Sequence, residues 1–219
     1  MTSVGDAVRG LQLVIVSSPS GAGKTTLWHM LIEDERRPGI HASVSHTTRV
    51  PRPGERDGVD YYFVDDARFE AIRARDGFAE HAEVHGHLYG TSTAEIERIA
   101  RLEGVRAIVF DIDVQGARQL LSRYPHALSV FILPPDVGEL RRRLEGRGTE
   151  DPDQLRLRLK NAADEMRCYN RFDYLVVNDD LDEAYAELCT VLDAHRASTA
   201  MRRPFAESLL ARWAREVEP

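Results

Sequence analysis

Cysteine is scarce in this chain. Cys168 and Cys189 are the only two in 219 residues, too few for a disulfide framework, and they lack metal-ligand spacing. Two thiols packed in helices are expected, rather than a redox pair. Long apolar stretches are missing as well: no run reaches the roughly 18 residues that a membrane-spanning helix requires. Residues 1–10 carry charges and two glycines without a long apolar run, so no secretory signal is expected and the cytoplasm is the expected compartment. Basic residues are in deficit, 29 against 36 acidic ones, for a net charge of −7 and a pI near 5.6. That balance argues against a nucleic-acid partner, whose phosphate backbone demands a basic face. A smaller phosphate ligand would have to be met by local arginines. Internal repeats and low-complexity tracts are also absent.

What the sequence does contain is organised around LQLVIVSSPSGAGKTTL, residues 11–27. A short apolar strand leads into a loop of small residues, and Lys24, Thr25 and Thr26 open a helix. Such a loop is an anion site, because consecutive backbone N–H groups converge while the helix dipole favours negative charge. The usual phosphate-loop pattern is G-x-x-x-x-G-K-[ST], with the lysine on the terminal phosphates and the hydroxyl on Mg²⁺. Ser18 occupies the first position here, whereas Gly21, Gly23, Lys24 and Thr25 meet the rest.

Short apolar runs recur at 13–16, 107–110, 130–133 and 175–177, without polar alternation. Strands of a parallel sheet covered on both faces read in this way. Helical patterns fall between them at 25–34, 116–122 and 137–144. A further one runs from Asp151-Pro152 to about Arg167, and another spans 181–197 behind a capping Asp180. Strand and helix in alternation give an α/β fold. The stretch 43–91 breaks the rhythm. It is rich in Thr, Tyr, His and Gly, with one clear helix at about 66–75 and short strands at 61–64 and 82–84, which suggests a small antiparallel lobe over a ligand crevice. After residue 197, Arg202-Arg203-Pro204 precedes an amphipathic run at 205–217. Its Leu209, Leu210 and Trp213 are expected to pack on the core or on a second copy of the chain, so self-association is left open.

Two arginines three apart, Arg49 and Arg52, lie in a proline-stiffened turn suited to bidentate phosphate contact. Asp111 closes the run 107–110 at a strand's carboxyl edge, where it could bind Mg²⁺ directly or through water; capping the next helix is the competing use, and Asp111 and Asp113 could divide the two tasks.

The stretches VSHTTRVPRPGE, DGVDYYFV, FAEHAEVHGHLYGT, FDIDVQG, LEGRGTE and YLVVNDD follow one another in an order and spacing that resembles guanylate kinases, especially the bacterial type, over about 11–197. The resemblance implies a phosphate-loop NTPase-type parallel sheet core (11–42 and 94–197) flanked by helices. It also implies a small mixed α/β GMP-binding lobe (43–93), a helical lid (about 137–168) and a C-terminal helical extension (198–219), after an N-terminal tail of 1–10. The implied reaction is Mg²⁺-dependent phosphoryl transfer from ATP to GMP, with dGMP also accepted because nothing in these motifs reads the 2′-hydroxyl. The family's GMP phosphate site falls on Arg49, Arg52, Tyr61 and Tyr89, and its guanine site on Ser45, Glu80, Thr91 and Asp113. A carboxylate accepts from guanine N1–H and N2–H₂, and would face a lone pair on adenine. ATP is expected at Ser18, Pro19, Ser20, Gly21, Ala22, Gly23, Lys24, Thr25 and Thr26, with Arg143, Arg147 and Arg158 from the lid and Asn178 against the adenine. Catalysis would fall to Lys24, Arg49, Arg147 and Arg158, and the metal to Thr25 and Asp111. Ser18 stands where these kinases commonly carry Gly or Ala, and Leu88 where a Tyr often precedes the YG. The rivals are a non-catalytic guanylate-kinase-like protein-binding module and a monophosphate kinase of altered base choice.

Overall fold

In the computed structural model, which describes residues 8–84, 86–146 and 152–217, the short apolar runs become strands of a parallel sheet. β1 (Gln12–Ser17) is buried along its whole length. Its even-numbered residues Val14 and Val16 pack with Leu27, Leu31, Leu188 and Leu192, while Leu13 and Ile15 pack on the other face with Ile96, Ile99 and Leu120. A strand covered on both faces is apolar through its middle, with the polar Gln12 and Ser17 confined to its ends, and each fully buried aliphatic side chain contributes about 1.5–3 kcal/mol.

β2 (Ile40–Ala42), β7 (Ala107–Asp111), β8 (Leu128–Leu133) and β9 (Tyr174–Val177) complete this sheet in the order β2-β7-β1-β8-β9, every neighbouring pair parallel. Parallel neighbours need crossover connections, and helices supply them: α1 (Lys24–Glu33), α3 (Thr93–Ala100), α4 (Val114–Arg123), α5 (Val137–Glu145) and α6 (Pro152–Met166), while α7 (Leu181–Arg196) follows the last strand and packs against α1. Asp113, Asp136 and Asp180 cap α4, α5 and α7 through side-chain oxygens. The expected Asp151 cap of α6 lies outside the described residues.

A second sheet, in the order β4-β3-β6-β5, is built from β3 (His46–Thr47), β4 (Tyr62–Phe63), β5 (Phe78–Val84) and β6 (His87–Ser92), with α2 (Asp66–Ala74) between β4 and β5. It corrects the antiparallel expectation. β5–β6 and β6–β3 are antiparallel, but β3 and β4 run parallel, because the long turn between them brings the chain back in its original direction. Glu95, 3 % exposed on α3, ties this sheet to the larger one: it accepts from the Val44 N–H (3.2 Å) and the Tyr62 hydroxyl (3.0 Å), and is paired with Arg98.

The C-terminal run corrects a second expectation. α8 (Thr199–Val217) begins before Pro204, which sits at the helix's sixth position and forgoes one backbone bond without stopping it. Phe205, Leu210 and Trp213 are exposed, Leu209 is half-buried and no residue of α8 is buried, so the core packing weighed for this run does not occur and a second copy of the chain is the alternative left. Cys189 is buried on α7, whereas Cys168 lies in a turn and not in a helix. No helix among the described residues is long and apolar enough to cross a membrane.

Candidate active site

The loop after β1 is shaped by two glycines in the left-handed region, Gly21 (φ +90°) and Gly23 (φ +91°). Gly23 has a second constraint: a Cβ there would lie 2.1 Å from Asn178 Nδ2. Ser18 is strain-free, since Asp76 is the only non-glycine residue with positive φ among the described ones. The loop is braced from behind. Asn178, 4 % exposed, donates to the Ala22 carbonyl at 2.8 Å. Arg143 reaches the same carbonyl at 3.3 Å and the Asn178 carbonyl at 3.1 Å, with its Nε on Glu139. Gly23 then caps α1, whose first residues are Lys24 and Thr25. Orphan amides and the positive helix end converge there on an anion.

At the carboxyl edge of β7, Asp111 forms an ion pair with Lys24. Asp113 instead caps α4, accepting from the Gly116 N–H at 2.8 Å. The two aspartates of FDID thus hold different jobs, and the capping use weighed for Asp111 belongs to Asp113. Thr25 is exposed and lines the same cleft as Asp111. Among the described residues no cluster of three or more His, Cys, Asp or Glu could hold a metal on its own.

Across the cleft, β5 and β6 place Glu80 opposite Thr91. Glu80 is 3 % exposed; its Oε1 accepts from the Thr91 N–H at 2.7 Å, and the Thr91 hydroxyl lies 3.1 Å from that of Ser45. Burial pushes the Glu80 carboxyl up to about 7, the Asp113 charge adds to the rise, and the bonds from Thr91 offset part of it.

The arginine turn is organised by Glu55, which the sequence reading passed over. One Glu55 oxygen takes Arg49 Nη2 at 2.8 Å, and the other takes the Arg52 N–H at 2.7 Å. The Arg49 guanidinium lies 5.4 Å from the Tyr61 ring centre, and Tyr61 meets Tyr89 edge-on at 5.9 Å. Burial pushes the Tyr61 hydroxyl up to about 12, so it stays a donor at neutral pH. Arg52 is exposed at the cleft rim.

These groups line one cleft of about 300 Å³, which unites Ser18, Ser20, Gly21, Gly23, Lys24 and Thr25 with Ser45, Arg49, Arg52, Tyr61, Glu80, Tyr89, Asp111 and Asp113. Thr91 is wholly buried behind Glu80. Pro19 and Ala22 are buried in the loop, and Thr26 is exposed and does not line the cleft. Arg143 and Asn178 stand behind the loop, and Arg158 is half-buried on α6. Arg147 lies outside the described residues. Glu165 was also missed: from α6 it accepts from the Ser20 N–H at 3.0 Å, and burial raises its pKa. No spacing rule points to Glu165, whereas Glu55 ends the proline-stiffened turn and could have been paired with Arg49. A larger cavity, about 510 Å³, lies at the amino ends of β1 and β7, away from the phosphate loop. Sheets of this kind bind ligands at the carboxyl ends, which favours the smaller cleft as the site of chemistry.

The guanylate kinase family profile matches residues 10–195. The guanylate kinase of Alkalilimnicola ehrlichii is 48% identical over 198 residues, covering 90% of this chain and 96% of its own length. That of Escherichia coli K12 is 44% identical over 200 residues, covering 91% and 96%. A crystal structure of guanylate kinase from Anaplasma phagocytophilum superposes with a TM-score of 0.68 at 33% identity, covering 86% of this chain and 88% of that one.

Proposed function

The chain belongs to the guanylate kinase family and is a nucleoside monophosphate kinase, an enzyme that phosphorylates GMP from ATP; we propose that it does so with Mg²⁺, in the cytoplasm, as a step of purine nucleotide metabolism, and that it also accepts dGMP. One observation carries the reading: a single cleft joins a phosphate loop to a buried carboxylate flanked by hydroxyls, with an arginine–tyrosine cluster between them.

No general base is needed, because the attacking oxygen belongs to an ionised phosphate. As it bonds to the γ-phosphorus of ATP, the bond to the ADP oxygen breaks. Lys24 and the loop amides hold the donor phosphates. Arg49, Arg52, Tyr61 and Tyr89 fix the GMP phosphate and offset its charge, so the two anions can approach. Glu80, Ser45, Thr91 and Asp113 seat the guanine. Arg143, Arg147 and Arg158 belong to a lid (about 137–168) that closes on the core (11–42 and 94–197), while residues 43–93 carry the acceptor. Asn178 braces the loop and meets the adenine.

The family requires a metal ion, and the donor set fits Mg²⁺. Thr25 and Asp111 offer hard oxygens, and Mg²⁺ takes one or two protein ligands, with phosphates and waters making up the rest. Held by Thr25 and Asp111, it would supply positive charge that offsets the charge developing on the donor phosphates.

ADP release with GMP, dGMP, AMP, CMP and UMP, beside a Lys24→Ala control, tests the proposal. GMP should be strongly preferred, dGMP should follow closely, and Lys24→Ala should lower kcat by about a hundredfold or more. AMP turned over as fast as GMP would overturn the reading, and a dGMP rate below about a thousandth of the GMP rate would remove dGMP from it.

A further inference from the structure

We infer that Gly116 is a positioning residue for base selection: its missing side chain leaves the space in which the Glu80 carboxylate is held, beside the first turn of α4. The inference rests on the reading that Glu80 chooses the base.

Gly116 is the third residue of α4 and is buried. Glycine inside a helix costs about 0.5–1 kcal/mol relative to alanine, so its presence needs a local reason. Backbone conformation supplies none, since Gly116 has no positive φ. Close approach does. A Cβ at Gly116 would fall 2.4 Å from Glu80 Oε2 and 3.2 Å from Glu80 Cδ, and 3.3 Å from Asp113 Oδ1. No carboxylate oxygen tolerates a carbon at the first of these distances.

Glu80 has nowhere to retreat. Its other oxygen, Oε1, is held by the Thr91 N–H at 2.7 Å, and the side chain is 3 % exposed. The strand itself is stitched to α4 at the next residue: Gln119 Oε1 accepts from the His81 N–H at 3.2 Å, and Gln119 Nε2 donates to the His81 carbonyl at 2.6 Å. β5 therefore cannot back away from α4 to make room. Gly116 also fixes Asp113, because its own N–H donates to Asp113 Oδ1. One residue thus spaces both carboxylates of the site, through an amide toward one and an empty volume toward the other. A methyl group at 116 displaces Oε2, the oxygen that Thr91 leaves available, and a carboxylate that meets guanine through two adjacent donors needs both oxygens in place.

The test is a double-mutant cycle of Gly116→Ala and Glu80→Ala, read as KM for GMP, KM for ATP, kcat and thermal midpoint. Gly116→Ala alone should raise KM for GMP about tenfold or more and leave KM for ATP within about twofold. In the Glu80→Ala background the same substitution should change KM for GMP by less than about twofold, because no carboxylate remains to be displaced. An unchanged KM for GMP in the single variant overturns the inference. So does an equal rise in both backgrounds, which would mark a general effect on α4. If Gly116→Ala alone fails to fold while the double variant folds, the steric conflict is demonstrated directly; if neither folds, the inference is rejected. A Glu80→Ala variant that still prefers GMP over AMP as strongly as the parent refutes the underlying base reading instead, and the inference falls with it.

Discussion

Replacing Glu80 by glutamine should stabilise the nucleotide-free protein at alkaline pH while crippling its recognition of GMP. The carboxyl is 3 % exposed, and burial raises its pKa from 4.5 to about 7. The folded protein therefore holds this proton more tightly than the unfolded chain does. The contribution to stability is present below the unfolded value, declines as pH rises through the interval, and is lost above about 7. At about 1.4 kcal/mol per pH unit, that interval amounts to roughly 3 kcal/mol, or about 6–12 °C in thermal midpoint for a domain of this size. Glutamine keeps the shape and an oxygen for the Thr91 N–H, and it has nothing to ionise. Thermal midpoints of parent and Glu80→Gln, measured without nucleotide from pH 5 to 8, should diverge as pH rises, with the variant gaining. Two parallel curves would refute the reasoning. The same titration reaches the ligand: at pH 6 only about a tenth of the Glu80 carboxyls are ionised, so GMP should bind about tenfold more weakly than at pH 8. The GMP phosphate itself titrates near pH 6, and its share is whatever pH dependence survives in Glu80→Gln.

Asn178→Ala removes the buried amide that holds the Ala22 carbonyl. It should cost about 1–3 kcal/mol in unfolding free energy by denaturant titration and raise KM for ATP, with KM for GMP unchanged. Glu55→Gln should release Arg49 from its ionic partner and shift the effect to the other substrate: KM for GMP should rise severalfold, KM for ATP should hold, and a KM for GMP equal to the parent's would show that Arg49 needs no such anchor.

The larger sheet was legible wherever the chain is buried on both sides. The middles of β1 and β7, residues 13–16 and 107–110, are apolar runs because neither face meets water there. β2 was not legible: at three half-buried residues, Ile40–Ala42, it carries no pattern to detect. α3 was signposted and overlooked, since Ser92 accepts from the Glu95 N–H at 3.2 Å in the S-x-x-E arrangement of a capping box. In the site, the phosphate loop could be read from local spacing because its parts are contiguous. The base pocket could not. Ser45 and Thr91 stand 46 residues apart and Glu80 lies on another strand, so only the resemblance to a family brought them together, and only coordinates showed the hydroxyls touching. The bracing of the loop by Arg143 and Asn178 is equally silent in sequence, because both arrive from distant helix and strand ends.

The pairing of Lys24 with Asp111 has a consequence for what the cleft attracts. A bare ammonium in a phosphate loop would be a trap for whichever small anion is most abundant around it. With its charge already answered by a neighbour, the lysine is masked, and a stray sulfate or phosphate must break the tie unaided. If Asp111 takes the metal as proposed, a guest that carries its own cation would offer it a replacement partner and free Lys24 for the phosphates. On that reading the cleft would screen its visitors by what accompanies them, before any base is inspected.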